Sequence, residues 1–206
     1  MSEVINIINL DPWQPAQSMN INIKTPQIQR FREERVLSIC KQSKEHGFAV
    51  RFWEGIVEHQ AMSGICKAFK KIVRWAKEQK LKKVIIGEDD LIFSALGAWQ
   101  YYLDNMPEEF DIYSGGIYSG QIVDGRIVNG YSGNTLITVH ERFYDFFLTA
   151  PEDKDLDRWL GDYAFEKFYP VCEPFVVYQL EGYSDHFRRE TRHTSYLEKM
   201  KLFGRD

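Results

Sequence analysis

The sequence predicts a mixed α/β fold, a mainly parallel sheet flanked by helices, and three observations carry that expectation. Short apolar runs alternate with longer stretches of helical periodicity through the first half of the chain. One run, Val84-Ile85-Ile86, is apolar at consecutive positions, the pattern of a strand covered on both faces. An Asp-Gly pair, Asp124-Gly125, sits between two apolar runs and reads as a hairpin turn, so the second half departs from strict strand–helix alternation.

The elements follow in order. Residues 4–10 are an apolar, β-branched run ended by Asp11-Pro12, a buried strand that begins the sheet. Thr25-Pro26 offers a cap and a proline at the first helical position, and a polar surface helix with Ile28, Phe31, Val36 and Ile39 runs to Lys44 before Gly47 stops it. Residues 48–53 alternate as a second strand. Residues 56–80 place Ile65, Phe69, Ile72, Val73 and Ala76 at helical spacing. The strand Val84-Ile85-Ile86 then ends abruptly in Gly87-Glu88-Asp89-Asp90. A helix over about 94–105, a strand over 110–113, the hairpin over 122–128 and a strand over 136–139 come next. Helices over 141–148 and 156–167 follow, and a strand over 175–178 closes the regular structure. With no internal repeat and no low-complexity linker, residues 1–206 read as one domain.

Composition narrows the function classes. Apolar residues at 44% and charged residues at 27% are those of a soluble globular chain, which excludes a disordered tail, a collagenous fibre or a coiled-coil rod. Aromatics at 15% exceed what a core of this size needs, so some are expected to line a site, with Trp53, Trp99, Tyr113, Tyr118, Tyr131 and Trp159 as candidates. The net charge of -4 comes without a basic stripe, so nucleic acid is not an expected partner. Cys40, Cys66 and Cys172 lack CxxC spacing, which indicates neither a disulfide framework nor a thiolate zinc site, and they read as core residues of a protein in a reducing, cytoplasmic setting. The N-terminus has no basic region, and no apolar run approaches the roughly 18 residues that span a bilayer. The expectation is therefore no signal peptide and no transmembrane segment, compatible with peripheral contact at the inner face of a membrane.

The acidic triplet is the most informative motif. Three carboxylates directly after a buried strand stand where open α/β sheets bind ligands, outside the carboxyl ends of the strands. If strand geometry persists, Glu88 and Asp90 point one way and Asp89 the other, so Glu88 and Asp90 can offer hard oxygen ligands to Mg²⁺ or Mn²⁺ bridging a diphosphate. Read without a ligand, the same residues are a solvated turn with Asp90 as a helix cap. Near the C-terminus Arg188, Arg189, Arg192, Lys199, Lys201 and Arg205 form a local basic excess where anions can dock, and His186 or His193 is a candidate third metal ligand or diphosphate hydrogen-bond donor, against the plainer reading of a solvated tail from Lys199 onward. Asp155, Asp157 and Asp162 surround Trp159; one of them can act as a general base toward a hydroxyl, against the plainer reading of helix capping. His46, His59 and His140 have no metal-like spacing.

The order of these segments resembles the GT-A-fold glycosyltransferases, a Rossmann-like architecture, and within them the lipooligosaccharide-type family 25 and its short bacterial relatives. The residues that carry the resemblance are Ile8-Asn9-Leu10, Gly64 at the entry of the long helix, the passage from Leu81 to Asp90, and Pro174-Phe175 with Tyr178-Gln179, Gly182 and Ser184-Asp185. They correspond to that family's "INL", helix start, "LEDD" and "P…Q…S" in the same order. Two departures stand out: Ala68-Phe69 replaces the family's "SH", with Lys67 beside it as a substitute, and the arginine usual beyond the first strand is missing between Asp11 and Ile23.

The resemblance implies a metal-dependent glycosyltransferase that moves a sugar from a nucleotide diphosphate sugar, UDP-sugar foremost, to a hydroxyl of a glycan or glycolipid, as in lipopolysaccharide biosynthesis. It implies a donor half over 1–116, an acceptor-side half over 117–185 and a basic tail over 186–206. Asn9, Lys67, Glu88, Asp89 and Arg188 would face the nucleotide sugar; Glu88, Asp90 and His186 would hold Mn²⁺ or Mg²⁺; Asp157 or Asp162 would be the base. The alternative is a catalytically weak nucleotide-sugar or glycan-binding module of the same fold. A nucleotidyltransferase is disfavoured because no Gly-rich phosphate loop follows the first strand.

Overall fold

The computed structural model describes residues 3–10, 26–184, 189–191 and 197–205. Strand β1 (Val4–Asn9) is followed by helix α1 (Pro26–His46), β2 (Ala49–Glu54), α2 (Ala61–Glu78) and β3 (Lys83–Glu88). Next come β4 (Leu91–Phe93), α3 (Ala98–Asp104), β5 (Ile112–Ser114), the hairpin β6 (Ser119–Val123) and β7 (Arg126–Ser132), and β8 (Leu136–His140). A 3-10 turn over Glu141–Phe143 leads into α4 (Tyr144–Leu148) and α5 (Leu156–Asp162), then short strands β9 (Tyr169–Pro170), β10 (Val177–Gln179), β11 (Gly182–Ser184) and β12 (Arg189–Thr191).

The central sheet has the order β2-β1-β3-β8-β5. β1 pairs in parallel with β2 and β3, and β8 is antiparallel to both β3 and β5, so every strand except β8 points the same way. This is the mixed, mainly parallel sheet that the sequence predicts. Side-chain alternation divides the apolar runs between two cores. Val84, Ile86, Ile112, Ile137 and Val139 pack under α2, α4 and α5 with Phe69, Phe147 and Leu160. Ile5, Ile7, Ile85, Tyr113 and Leu136 face the other way, against Ile39 of α1, Trp99 and Tyr102 of α3 and Phe93 of β4. Both faces of β3 are covered, which explains its unbroken apolar run.

One polar side chain ties the three parallel strands together. Asn6, only 3% exposed, donates from Nδ2 to the Ile85 carbonyl (2.9 Å) and accepts from Trp53 Nε1 (2.9 Å). Trp53 meets Trp75 of α2 edge-on, and the Arg51 guanidinium lies over that second ring at 4.4 Å. Trp99, Tyr113, Tyr131 and Trp159 are buried in the cores, so much of the aromatic excess is structural. Cys66 and Cys172 are buried as expected, whereas Cys40 is exposed on α1.

The structure corrects several boundaries. α2 begins at Ala61 rather than residue 56, because residues 56–60 cross over its first turn, and a Cβ on Gly64 would lie 2.0 Å from the Ile56 carbonyl oxygen. α3 begins at Ala98 rather than about residue 94, because Gly97 takes a left-handed φ of 85° that a right-handed helix cannot contain. α5 ends at Asp162, and strands β11 and β12 extend the regular structure past residue 178. The Asp-Gly hairpin forms as expected: Asp124 and Gly125 both take positive φ, at 50° and 71°, as a type I′ turn requires. Predictions falling on Asp11-Pro12 and on the Thr25 cap lie outside the described residues.

Two outcomes are expected. Gly64→Ala forces the α2 entry off the Ile56 carbonyl and lowers unfolding free energy by about 1–3 kcal/mol in a denaturant titration. His46, at the end of α1, packs 4.8 Å from the Phe93 ring, and burial holds its pKa below the ordinary histidine value while neighbouring Glu45 opposes that effect. A depressed folded-state pKa leaves stability intact above the unfolded value of about 6.5 and erodes it as pH falls through that value toward the folded one. His46→Phe should therefore flatten this part of the acid limb in a plot of melting temperature against pH.

Candidate functional site

A cavity of about 520 Å³ opens at the carboxyl ends of β1 and β3. Ile8, Ile65, Phe69 and Leu156 give it apolar walls, and Glu88, Asp89, Asp90, Asp155 and Asp157 give it its charge, with Arg35 and Arg158 opposing. Its position is where α/β sheets of this kind bind ligands.

The acidic triplet reaches the cavity through a turn, not through a continued strand. β3 stops at Glu88 and β4 starts at Leu91, so the alternation that would have separated Asp89 from its neighbours is lost, and all three acids line the cavity. Two contacts hold the turn. The backbone N–H of Leu180 donates to the Asp90 carbonyl at 2.7 Å. The side chain of Gln42, on α1, donates to the Leu91 carbonyl (2.9 Å) and accepts from the Phe93 N–H (2.7 Å), serving the edge of β4 as a neighbouring strand would.

The acids are held by specific partners. Arg35 of α1 bonds Asp89 Oδ1 at 3.0 Å, lies 3.7 Å from Asp90 Oδ2, and donates to the Tyr183 carbonyl at 2.6 Å. Glu88 Oε2 accepts from Gln179 Nε2 at 2.7 Å, and the Gln179 N–H donates to the Tyr118 hydroxyl at 2.9 Å. Burial, then the nearby charge of Asp90, pushes the Glu88 carboxyl well above the usual carboxylate range, with the Gln179 contact only partly offsetting it. Tyr118 is likewise raised by burial and by Asp90, so its hydroxyl stays neutral.

Across the cavity, Asp157 Oδ2 accepts from the Ser132 hydroxyl (3.1 Å) and the Gly133 N–H (3.0 Å), and Oδ1 accepts from the Arg158 N–H (2.8 Å). This carboxylate fixes the loop between β7 and β8. The same loop reaches the triplet, since the Glu88 N–H donates to the Thr135 carbonyl at 3.1 Å.

The structure therefore brings together Glu88, Asp89, Asp90 and Asp157. Asp162 is exposed at the end of α5 and does not line the cavity. Lys67 pairs with Glu58 at 2.5 Å and lies 3.8 Å from Glu152, also away from the lining. Asn9 contributes its carbonyl to the Gly55 N–H (2.7 Å), while its neighbours Ile8 and Leu10 form the wall. His186 and Arg188 lie outside the described residues.

Sequence reasoning missed Arg35, Tyr118 as a Gln179 partner, and Asn134. A signal for Arg35 was present: Ile28, Arg32, Arg35, Ile39 and Gln42 form one helical stripe, and polar residues on an otherwise buried stripe need partners inside.

Among the described residues, no group of three or more His, Cys, Asp or Glu side chains is placed to hold a metal ion. The donors at the end of β3 are hard carboxylate oxygens whose mutual repulsion a divalent cation would offset. Mg²⁺-type ions are held by one or two carboxylates completed by water and phosphate oxygens. The donor set thus fits a cation arriving with a diphosphate better than a closed structural site.

No protein-family model matches this sequence, and no curated protein does. Solved structures share the fold, and two of them illustrate it. One is A197 from STIV, at a TM-score of 0.51 and 7% identity, covering 91% of this chain and 92% of that one. The other, from Desulfovibrio desulfuricans G20, is assigned as a nucleotide-diphospho-sugar transferase; it aligns at a TM-score of 0.51 and 12% identity over 83% of this chain and 80% of that one. The chain therefore has a GT-A-like fold. No helix among the described residues is long and apolar enough to cross a membrane.

Arg35 and Asp89 are both largely shielded, with side chains 11% and 12% exposed, so their pairing is open to a direct test. Arg35→Met should destabilise the protein by about 3 kcal/mol by leaving buried acids without their guanidinium. Adding Asp89→Asn should recover part of that loss, a non-additivity read from a double-mutant cycle of melting curves.

Proposed function

We propose that the protein is a glycosyltransferase that moves a hexosyl group from a nucleoside diphosphate sugar to a hydroxyl of a glycan or glycolipid. The observation that carries this reading is the convergence of Glu88, Asp89 and Asp90 on one side of a strand-end cavity and Asp157 on the other, in a GT-A-like fold. A fold alone does not assign an activity, so the weight falls on these carboxylates. Their order along the chain also agrees with the family 25 motifs.

In this reading residues 1–116 bind the donor, with Asp89 toward the nucleotide and Glu88 and Asp90 as the side chains that would hold Mn²⁺ or Mg²⁺. Such a cation, when bound, supplies Lewis-acid stabilisation of the negative charge that develops on the departing diphosphate. Residues 117–185 form the acceptor side. Asp157 accepts the proton of the incoming hydroxyl while its oxygen bonds to the anomeric carbon, and the bond from that carbon to the diphosphate oxygen breaks with its electron pair leaving on the nucleoside diphosphate. Where water is the acceptor, the same balance gives hydrolysis. The Ser132 and Gly133 donors keep the Asp157 carboxylate in place for this role.

The test is release of nucleoside diphosphate from a panel of UDP- and GDP-hexoses with Mn²⁺ or Mg²⁺ present. Asp157→Asn should lower kcat/KM by about 100-fold or more and leave the affinity for UDP unchanged. The double variant Glu88→Gln/Asp90→Asn should lose the Mn²⁺-dependent part of UDP affinity; unaltered turnover in that variant would refute the metal assignment. Thermal stabilisation of the wild type by nucleotide sugars with no sugar release would favour the binding-module alternative instead.

A further inference from the structure

The loop between β7 and β8 contains a polar side chain that the reading above does not use. Asn134 is 6% exposed and lines the cavity. Its Oδ1 accepts from the Tyr131 hydroxyl at 2.6 Å, the one hydrogen bond the side chain makes with the described residues. Its Nδ2 makes no hydrogen bond with the described residues, which leaves the amide NH₂ as the donor available to the cavity that the residue lines. Buried amides ordinarily satisfy both ends, and an amide whose oxygen is taken and whose nitrogen is left available is built to donate to something that comes and goes.

Two features favour the amide nitrogen as the inward end. Tyr131 is fully buried, and burial, followed by the charge of Asp157, keeps its hydroxyl protonated and therefore able to donate. The carboxylates of Glu88, Asp89, Asp90 and Asp157 share this cavity, and their field favours the positive NH₂ end of the amide dipole toward them.

The position of Asn134 names the ligand. Its neighbour Gly133 donates to Asp157 at 3.0 Å, and its other neighbour Thr135 accepts from the Glu88 N–H at 3.1 Å. Asn134 thus stands between the acids assigned to the diphosphate and the acid assigned to the acceptor hydroxyl. The group that must occupy that interval during transfer is the sugar ring.

We propose that Asn134 reads the transferred sugar by donating from Nδ2 to one of its hydroxyl oxygens, with Tyr131 as the positioning residue that locks the amide. This rests on the glycosyltransferase reading. A buried donor that loses its partner is costly, so such a contact selects for hexoses carrying an oxygen at that position and against deoxy sugars lacking it.

The experiment uses the donor that the wild type hydrolyses fastest among UDP- and GDP-hexoses, with its series of monodeoxy analogues. The wild type should turn over one analogue about 100-fold less efficiently than the parent. Asn134→Ala should lower kcat/KM for the parent by a similar factor, add little further loss on that one analogue, and leave the affinity for the corresponding nucleoside diphosphate intact. Tyr131→Phe, which frees the amide to turn, should narrow the gap between parent and analogue, and it serves as the deciding arm if Asn134→Ala does not fold. Parent turnover within threefold of wild type in a folded Asn134→Ala, equal losses across every analogue, or an undiminished gap in Tyr131→Phe overturns the assignment of Asn134 alone. A wild type that binds nucleotide sugars and releases no sugar overturns the transferase reading and this inference with it.

Discussion

The carboxyl end of β3 gathers more negative charge than a protein interior holds by itself, and the surrounding elements answer that charge. Three consecutive acids leave the sheet where both faces are already covered, so solvent cannot do the whole work of screening them. Arg35 comes from α1, about fifty residues earlier, to meet Asp89 and Asp90. Gln179 comes from β10, about ninety residues later, to meet Glu88. Neither contact is possible unless α1 packs along one face and β10 pairs with β4, and the Gln42 side chain secures both requirements by bonding the backbone of β4 from α1. Burial first, and then the charge of Asp90, still raises the Glu88 carboxyl despite its Gln179 partner.

The same logic organises the opposite wall. Asp157 does not cap its own helix in the usual way; it reaches back to Ser132 and Gly133 and so fixes the loop that enters β8. Because β8 is hydrogen-bonded along β3 in the central sheet, that loop is referenced to the strand that carries the acids. The two walls are therefore positioned by one rigid sheet, which is how a site holds groups from distant parts of the chain at fixed separation. Asn134 lies in a stretch of chain that bonds both walls: Thr135 meets Glu88, Gly133 meets Asp157.

Much of the fold was legible in the chain because burial writes a period into sequence. The unbroken run at Val84-Ile85-Ile86 required cover on both faces, and the two cores supply it. Asp124-Gly125 required positive φ twice, and takes it. Less legible were elements whose partners are remote. β4 is three residues long, has β10 and Gln42 bonded along its edges, and had no local signal of its own, so the sequence reading passed from the acidic triplet straight to a helix over 94–105 that in fact starts at Ala98. The start of α2 moved for a similar reason, since only the crossing of Ile56 over Gly64 excludes residues 56–60 from the helix.

The sequence by itself determined that an acidic triplet ends a buried strand, that the sheet is mainly parallel, and that Asp157 and Asp162 were both candidates for the acceptor side. It could not separate those two aspartates, because residues five apart on a short helix differ in direction but not in composition. Tertiary structure decided that Asp157 lines the cavity and Asp162 faces solvent, that Lys67 is engaged by Glu58 away from the site, and that an arginine read as part of a surface helix is the triplet's partner. The physical reason is one of range. Periodicity and turn chemistry are properties of a few adjacent residues, whereas a site is a set of directions, and directions are fixed only when strands from distant parts of the chain share a sheet.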